Sequence, residues 1–210
     1  MRVRPYQASD GPASRAILKQ AFADDPIMHI IFPGKMYDLL GERFFGMVAW
    51  MLHRSFGMSE VVETEDGTVC AVALWQPAQT TWGAQARQII LLAWMVWRIG
   101  LKGMSKLWPL MMATERKRFH HAPTADYLQC IGVDPSFQGQ GIGSLLLTVG
   151  LERAQASGVP SYLESSQPRN IPFYRRHGFT ILEEYRPYAT ESHKADGNPI
   201  IALMGRSTDH

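Results

Sequence analysis

The sequence predicts a mixed α/β (α+β) fold with one sheet flanked by helices, formed as a single domain over residues 1–210. Predicted strands and helices follow the order β-α-α-β-β, then a helical insert, then β-α-β-α-β-β. Apolar residues make up 46% of the chain and charged residues 19%, which is enough apolar surface for a buried core. No repeat or linker divides the 210 residues, a length typical of one domain.

In the first half, apolar spacing and turn residues predict two helices and three strands. The predicted elements are a strand over 2–6, a helix from Asp10 through Phe22, a helix over 37–56, and strands over 60–64 and 68–75. Ser9-Asp10 offers N-cap residues to the first helix, Asp25-Pro26 stops that helix, and Gly57 ends the second. Asp66-Gly67 predicts a hairpin between the last two strands.

The second half begins with an insert over residues 84–119 that is rich in Met, Trp and Leu and is predicted to be helical. Three roles are open for it: core, a wall of an aromatic acceptor pocket, or a homodimer contact. The predicted elements that follow are strands over 127–133, 161–165, 179–185 and 199–205, and helices over 142–157 and 171–177.

Charge, cysteines and apolar runs exclude several classes of function. A net charge of +2 favours neither a nucleic-acid partner nor an acidic tail. Cys70 and Cys130 lie in apolar strand-like runs, so we expect buried thiols in a reducing cytoplasm and no metal site. The apolar run from Ile89 to Trp97 is shorter than the about 20 residues that cross a bilayer, and residues 1–5 lack a signal peptide's apolar stretch.

A glycine-rich turn between a strand and a helix is the segment that carries chemistry. The strand ends at Val133, Asp134-Pro135 turns the chain, and glycines at 139, 141 and 143 lead into an apolar helix. Glycines let the backbone approach a ligand closely. The free N–H groups and the dipole of the helix N-terminus favour an anion, and a pyrophosphate fits such a site.

Three interpretations of this turn stay open on the residues alone. A P-loop needs Gly-Lys-Ser/Thr, whereas this chain has Gly143-Ser144-Leu145. A dinucleotide fingerprint needs a third glycine where Ser144 stands, and its glycines follow the strand almost at once. Glu164, at the end of the next strand, nevertheless lies where a ribose-binding acid would. A glycine turn with no ligand is the third interpretation.

The pattern Gln138-x-x-Gly141-x-Gly143 after Val-Asp-Pro resembles the acyl-CoA signature of the GCN5-related N-acetyltransferases, the GNAT superfamily. The resemblance implies a GNAT fold with a mostly antiparallel sheet, the insert lying before the cofactor-binding strand, and acetyl-CoA as co-substrate. In that family the turn binds the CoA pyrophosphate through backbone N–H groups and the preceding strand pairs with pantetheine. The cofactor-binding positions so implied are Ile131, Gly132, Val133, Gln138, Gly139, Gln140, Gly141, Ile142, Gly143, Ser144 and Asn170.

The segment from Leu163 to Phe179 resembles the next block of the family. The resemblance implies that Asn170 starts a short helix and contacts the cofactor, and that Tyr174 is the general acid; position alone would also fit a packed aromatic. Within the family, the segment Asp126–Tyr185 resembles the puromycin N-acetyltransferases more than the family at large. This implies a small-molecule amine acceptor, with an aminonucleoside such as puromycin as one candidate. A peptide amine acceptor and a non-catalytic acyl-CoA-binding module are the alternatives.

The chemistry also predicts a base. An amine must attack in its neutral form, and deprotonation at pH 7 costs about 4.6 kcal/mol for a lysine-like amine but about 1 kcal/mol for an α-amine. Glu164 is the preferred base, acting directly or through water, although a structural carboxylate is an alternative. His120, His121 and Asp126 are weaker candidates.

Overall fold

A computed structural model describes residues 1–78, 82–187 and 199–208. Its strands are β1 Arg2–Pro5, β2 Glu60–Glu63, β3 Val69–Gln76, β4 Asp126–Val133, β5 Ser161–Ser165, β6 Thr180–Tyr185 and β7 Ile201–Arg206. In this part of the chain they form one sheet in the order β1-β2-β3-β4-β5-β7-β6. Every neighbouring pair is antiparallel except β4 and β5, which run parallel. The predicted mixed, mostly antiparallel sheet is confirmed.

The helices are α1 Gly11–Ala21, α2 Pro26–Ile31, α3 Met36–Phe56, α4 Trp82–His121, α5 Ile142–Ala156 and α6 Ile171–Arg176. The short helix α2 was not predicted. Asp25 does not merely stop the preceding helix, because its carboxylate caps α2 by accepting hydrogen bonds from the N–H groups of Ile27 and Met28. Asp10 makes no side-chain cap on α1; its carboxylate accepts instead from Arg4 and from the Gln7 N–H.

The sheet separates the core into two sides because successive side chains of a strand alternate between its faces. On β5, the buried Tyr162 packs in a cluster with α4, whereas its neighbour Leu163 packs in a cluster with α5. Helices α1 and α3 cover the Val72, Leu74 and Cys130 positions of the central strands. Glu164 lies two residues after Tyr162 on β5, so its side chain points to the same face of the sheet, the face that α4 covers.

The predicted helical insert is α4, and its inner face is core. Met104, Leu107 and Leu110 are buried against the tyrosines of β4 and β5. Gly100 adopts φ 70° and ψ 171°, a conformation that interrupts the helix and separates its two halves. Of the residues described, no helix combines the length and apolarity needed to cross a bilayer.

Helix α5 approaches the sheet so closely that position 150 has room only for glycine. A Cβ added at Gly150 would lie 2.5 Å from the indole of the fully buried Trp75. We therefore expect Gly150→Ala to lower the free energy of unfolding by about 1–3 kcal/mol through overpacking. Urea denaturation would measure it, with Gly46→Ala in α3 as the control.

Gly46→Ala increases helix propensity as much as Gly150→Ala does, but it introduces no clash. The nearest atom to a Cβ at Gly46 is 3.6 Å away, on a flexible arginine side chain. A Gly150→Ala protein as stable as the Gly46→Ala protein would contradict the close approach of α5 to Trp75.

Candidate functional site

The central feature of the site is a cleft that opens where β4 and β5 diverge. The two parallel strands pair only from Asp126↔Ser161 to Leu128↔Leu163. Beyond that point β4 continues to Val133 with β3 as its one strand neighbour in the described sheet. The resulting cleft has a volume of about 840 Å³ and is lined by both strands, by the segment before α2, and by the starts of α5 and α6. It is large enough for an extended ligand.

A β-bulge accompanies this divergence. Leu128 is opposite Trp75 and Cys130 is opposite Leu74, so Gln129 has no counterpart on β3. From Gln129 to Val133, the edge of β4 that faces the cleft pairs with no strand among the residues described. Apart from the Val133 carbonyl, which accepts from the Gln138 side chain, the backbone groups on this edge are available to an extended, amide-containing ligand.

The glycine turn forms one end of the cleft. Asp134 starts it by accepting a hydrogen bond from the Ser136 N–H, and the Gln138 side-chain amide donates to the Val133 carbonyl at 3.1 Å. Gly139 and Gly141 adopt φ 78° and 77°, the left-handed region that favours glycine, and a Cβ at either would meet no atom within 4 Å. Within the described chain, no acceptor receives a hydrogen bond from the backbone N–H groups of residues 139–144. These donors and the α5 dipole lie where the anion site is predicted, and they have the chemistry that such a site needs.

Most of the predicted cofactor-binding residues line this cleft together. They are Ile131, Gly132, Val133, Gln138, Gly139, Gly141, Ile142, Gly143, Ser144 and Asn170. Gln140 is the exception: it is exposed at the turn and is not part of the lining. Gly132 also permits close packing of α1, since a Cβ there would lie 3.1 Å from the Ala21 side chain.

Tyr174 enters the cleft from α6 and is held by neighbouring aromatic rings. It is 7% exposed and makes edge contacts with Phe173 and Phe179 at centroid distances of 5.2 and 6.0 Å. Burial, and then the nearby Cys130 and Asp25, raise the pKa of Tyr174 well above its usual value. The phenol therefore keeps its proton at neutral pH, as a proton donor must.

Glu164 lies across the cleft on β5, and the Tyr162 hydroxyl donates a hydrogen bond to its Oε1 at 3.0 Å. Burial raises the pKa of Glu164 to about 7, with a further rise from Glu115, while the Tyr162 hydrogen bond and Arg118 oppose it. A carboxyl with such a pKa is a base of useful strength near neutral pH, which favours the predicted base over a purely structural carboxylate.

The weaker base candidates lie outside the cleft lining. His121 pairs with Glu183 at 2.8 Å, and His120 stacks against His121 at 4.8 Å between centroids. Asp126 is buried at the paired start of β4, where burial raises its pKa. None of the three residues borders the ligand space.

Sequence reasoning missed the contribution of the segment before α2. The buried Asp25 lines the cleft and accepts a hydrogen bond from the Ser166 hydroxyl, and the Gln167 amide donates to the Asp24 carbonyl at 2.6 Å. These contacts join the segment to the loop after β5, on the far side of the cleft. The signal that could have found it is Asp-Pro itself, an N-cap followed by a first-turn proline.

Comparisons with known proteins find relatives over the segment that holds this site. Residues 109–181 match the profile described as "Acetyltransferase (GNAT) domain". A mycothiol acetyltransferase from Streptomyces avermitilis is 37% identical over 65 residues, covering 30% of this chain and 21% of the relative. One from Propionibacterium freudenreichii is 33% identical over 73 residues, covering 32% and 23%. The chain thus spans about a fifth of the length of these curated relatives.

Solved structures extend the likeness to the whole fold. The Corynebacterium glutamicum structure described as histone acetyltransferase HPA2 and related acetyltransferase has a TM-score of 0.65 at 23% identity, covering 98% of this chain and 95% of the other. Arylalkylamine N-acetyltransferase 2 from Aedes aegypti has a TM-score of 0.67 at 15% identity, covering 99% of each chain. At these identities the likeness establishes a shared fold.

Proposed function

We propose that the chain transfers the acetyl group of acetyl-CoA to a primary amine of a small molecule, in keeping with the match of residues 109–181 to the GNAT acetyltransferase profile. The observation that carries this proposal is the cleft between β4 and β5, which brings the free N–H groups of residues 139–144, the Glu164 carboxylate and the Tyr174 phenol to one space.

The residues present fit acetyl-CoA as the donor substrate. The N–H groups of residues 139–144 suit its pyrophosphate, and the open Cβ directions at Gly139 and Gly141 leave room for close approach. The free edge of β4 from Gln129 to Val133 suits the amides of the pantetheine arm. Bound acetyl-CoA supplies an activated thioester carbonyl.

The proposed reaction forms the N–C bond between amine and acetyl group and breaks the C–S bond. Glu164 accepts the proton that the amine loses, and Tyr174 gives its proton to the departing thiolate. Backbone N–H groups near Ile131 to Val133 stabilise the oxyanion, at about 3 kcal/mol for each well-placed donor. A CoA thiol with a pKa near 8.5 needs little help to leave, so a phenol is a sufficient acid.

Direct transfer is favoured over an acetylated cysteine. Cys130 lines the cleft, but burial raises the pKa of its thiol to about 12. Only the thiolate is a strong nucleophile, and its fraction at neutral pH is negligible at such a pKa.

An amine acceptor also suits the charge of the cleft. The carboxylates of Asp25 and Glu164 lie among its lining residues on the side opposite the glycine turn, so they attract an ammonium group before it is deprotonated. The resemblance to puromycin N-acetyltransferases favours an α-amine such as that of puromycin, and the mycothiol acetyltransferase relatives add mycothiol-type amines. Arylalkylamines and polyamines follow from the names of structural neighbours.

The test is release of free CoA thiol from acetyl-CoA in the presence of each amine class and of a lysine-containing peptide. Release stimulated by one or more small amines supports the proposal. A higher rate with the peptide would show instead that the acceptor is a peptide amine. Tight acetyl-CoA binding in calorimetry without stimulation by any amine would instead indicate a non-catalytic binding module.

The glycine turn gives a separate prediction about the cofactor. Gly141→Ala places a Cβ in the ligand space and strains a residue with φ 77°, so we expect the KM for acetyl-CoA to rise about tenfold. The KM for the amine should stay nearly unchanged. Gly158→Ala is the matched control, because Gly158 has φ 65° and open space around it but lies beyond the far end of α5. Equal effects of both variants on the KM for acetyl-CoA would refute the pyrophosphate site.

A further inference from the structure

The C-terminal end of α4 places a buried cation behind the cleft. Arg118 is 2% exposed, and its Nη2 and Nε donate to the Glu115 carboxylate at 2.8 and 3.2 Å. In the part of the chain that the structure describes, its Nη1 donates to no acceptor. A buried guanidinium with one partly exposed carboxylate partner leaves part of its field acting on other groups nearby.

Aromatic rings lie between this cation and the cleft. The Arg118 guanidinium lies 5.7 Å from the centre of the Tyr127 ring, and the Tyr127 and Tyr162 rings are 5.5 Å apart. The Tyr162 hydroxyl in turn donates to Glu164 Oε1. Tyr127 and Tyr162 are both buried, so charges interact across them in a medium of low dielectric constant.

The groups that act on Glu164 come from two elements and have opposing effects. They are Tyr162 on its own strand and Glu115 and Arg118 on α4; Tyr127 on β4 lies between, and the Glu164 charge raises the pKa of that phenol. Tyr162 and Arg118 favour the ionised carboxylate, whereas Glu115 disfavours it. Two other cations at this end of α4, Lys117 and His121, both pair with Glu183.

We propose that Arg118 is a positioning residue that sets the proton affinity of Glu164, with Glu115 as the opposing charge. Residues of the helical insert α4, and not only those of the cofactor-binding half of the domain, thereby determine how readily Glu164 accepts a proton. This inference rests on the proposed function, in which Glu164 accepts the proton of the amine.

The direct test is a ¹³C NMR titration of protein labelled at the glutamate side-chain carboxyl carbon, with Glu164→Gln identifying the resonance. It needs no substrate. We expect Arg118→Gln to raise the Glu164 midpoint by about half a pH unit and Glu115→Gln to lower it by at least as much. Arg118→Lys should keep the midpoint close to that of the unmodified protein, because it retains the charge.

The pH profile of kcat/KM is the second readout. Its acidic limb should move with the NMR midpoint in each variant, and Arg118→Gln should move nothing in a Glu164→Gln background. A merely structural role for Arg118 would lower the rate at every pH with the midpoint unchanged, and that result would overturn the inference. Glu115→Gln keeps the test decisive if Arg118→Gln does not fold, since Glu115 is partly exposed.

The two proposals fail in different ways. Shifted midpoints without acetylation of any amine would support the electrostatic inference while rejecting the proposed function. Acetylation with unshifted midpoints would reject the inference while leaving the proposed function intact.

Discussion

Replacing Tyr174 by phenylalanine is expected to lower kcat by about 10²-fold or more, the range of a lost general acid. The variant removes one hydroxyl from a 7% exposed ring whose contacts with Phe173 and Phe179 remain, so the fold should survive. The KM for acetyl-CoA should change little, because the N–H groups of residues 139–144 are untouched. Steady-state thiol release at pH 7.5 measures both constants.

A matched control is Tyr185→Phe, which removes a phenol hydroxyl that bonds to Thr114 outside the cleft. It should keep nearly full activity. Full activity of Tyr174→Phe would show that the thiolate leaves without an acid and that Tyr174 only packs. A poor leaving group would need the acid more, so an oxygen-ester analogue of the donor should enlarge the Tyr174→Phe effect.

Replacing Glu164 by glutamine should have the second large effect, a loss of about 10²-fold or more at pH 8 with a lysine-like amine. The loss should be smaller with an α-amine, which deprotonates more readily. In the unmodified protein, Glu164 with a pKa of about 7 is a base only above that pH, so kcat/KM should rise as pH rises through about 7. That limb should vanish in Glu164→Gln, and its persistence would assign the limb to another group.

The same substitution should stabilise the fold at high pH. The pKa of Glu164 is about 7 in the fold against an ordinary value of 4.5, so the folded state holds the proton more tightly. The stability present below pH 4.5 is then lost as pH rises through 7, by on the order of 1–3 kcal/mol. Urea denaturation at pH 5 and pH 8 should show Glu164→Gln gaining relative stability at pH 8.

Glu152→Gln, at an exposed glutamate of α5, is the control for this comparison. It should leave the pH dependence of stability unchanged. An enzyme that becomes more stable as it becomes inactive would mark Glu164 as a carboxylate kept for function rather than for the fold.

The sequence predicted most of the architecture because its local signals agreed with one another. The hairpin between β2 and β3 lies at Asp66-Gly67, and α3 ends before Gly57, as predicted. The glycine turn lies over residues 139–143, directly before and at the start of α5. Tyr174 was predicted from the family resemblance and Glu164 from the need for a base, but that both line one cleft required the structure, since a sequence does not state which strands diverge. The roles of these two residues remain predictions.

Two features had no local signal strong enough to find them. The contact of Asp25 with Ser166 joins residues 141 positions apart, and only the completed sheet brings them together. The burial of Arg118 has no local signal either, because Glu115 to Arg118 has the composition of a solvated helix face. Tertiary packing of α4 against Tyr127 overrides that pattern.

The divergence of β4 from β5 leaves the protein with an unfinished sheet in its interior. Residues 130–133 pair with β3 on one edge, but on the other edge no strand among the residues described pairs with the peptide groups of residues 129–133. A donor substrate lying along that edge would take the place of a strand. Folding and saturation would then be thermodynamically linked, with about 2.7 kcal/mol of added stability at a hundredfold excess over Kd. The lifetime of such a protein in a cell would follow the local supply of its own acyl donor.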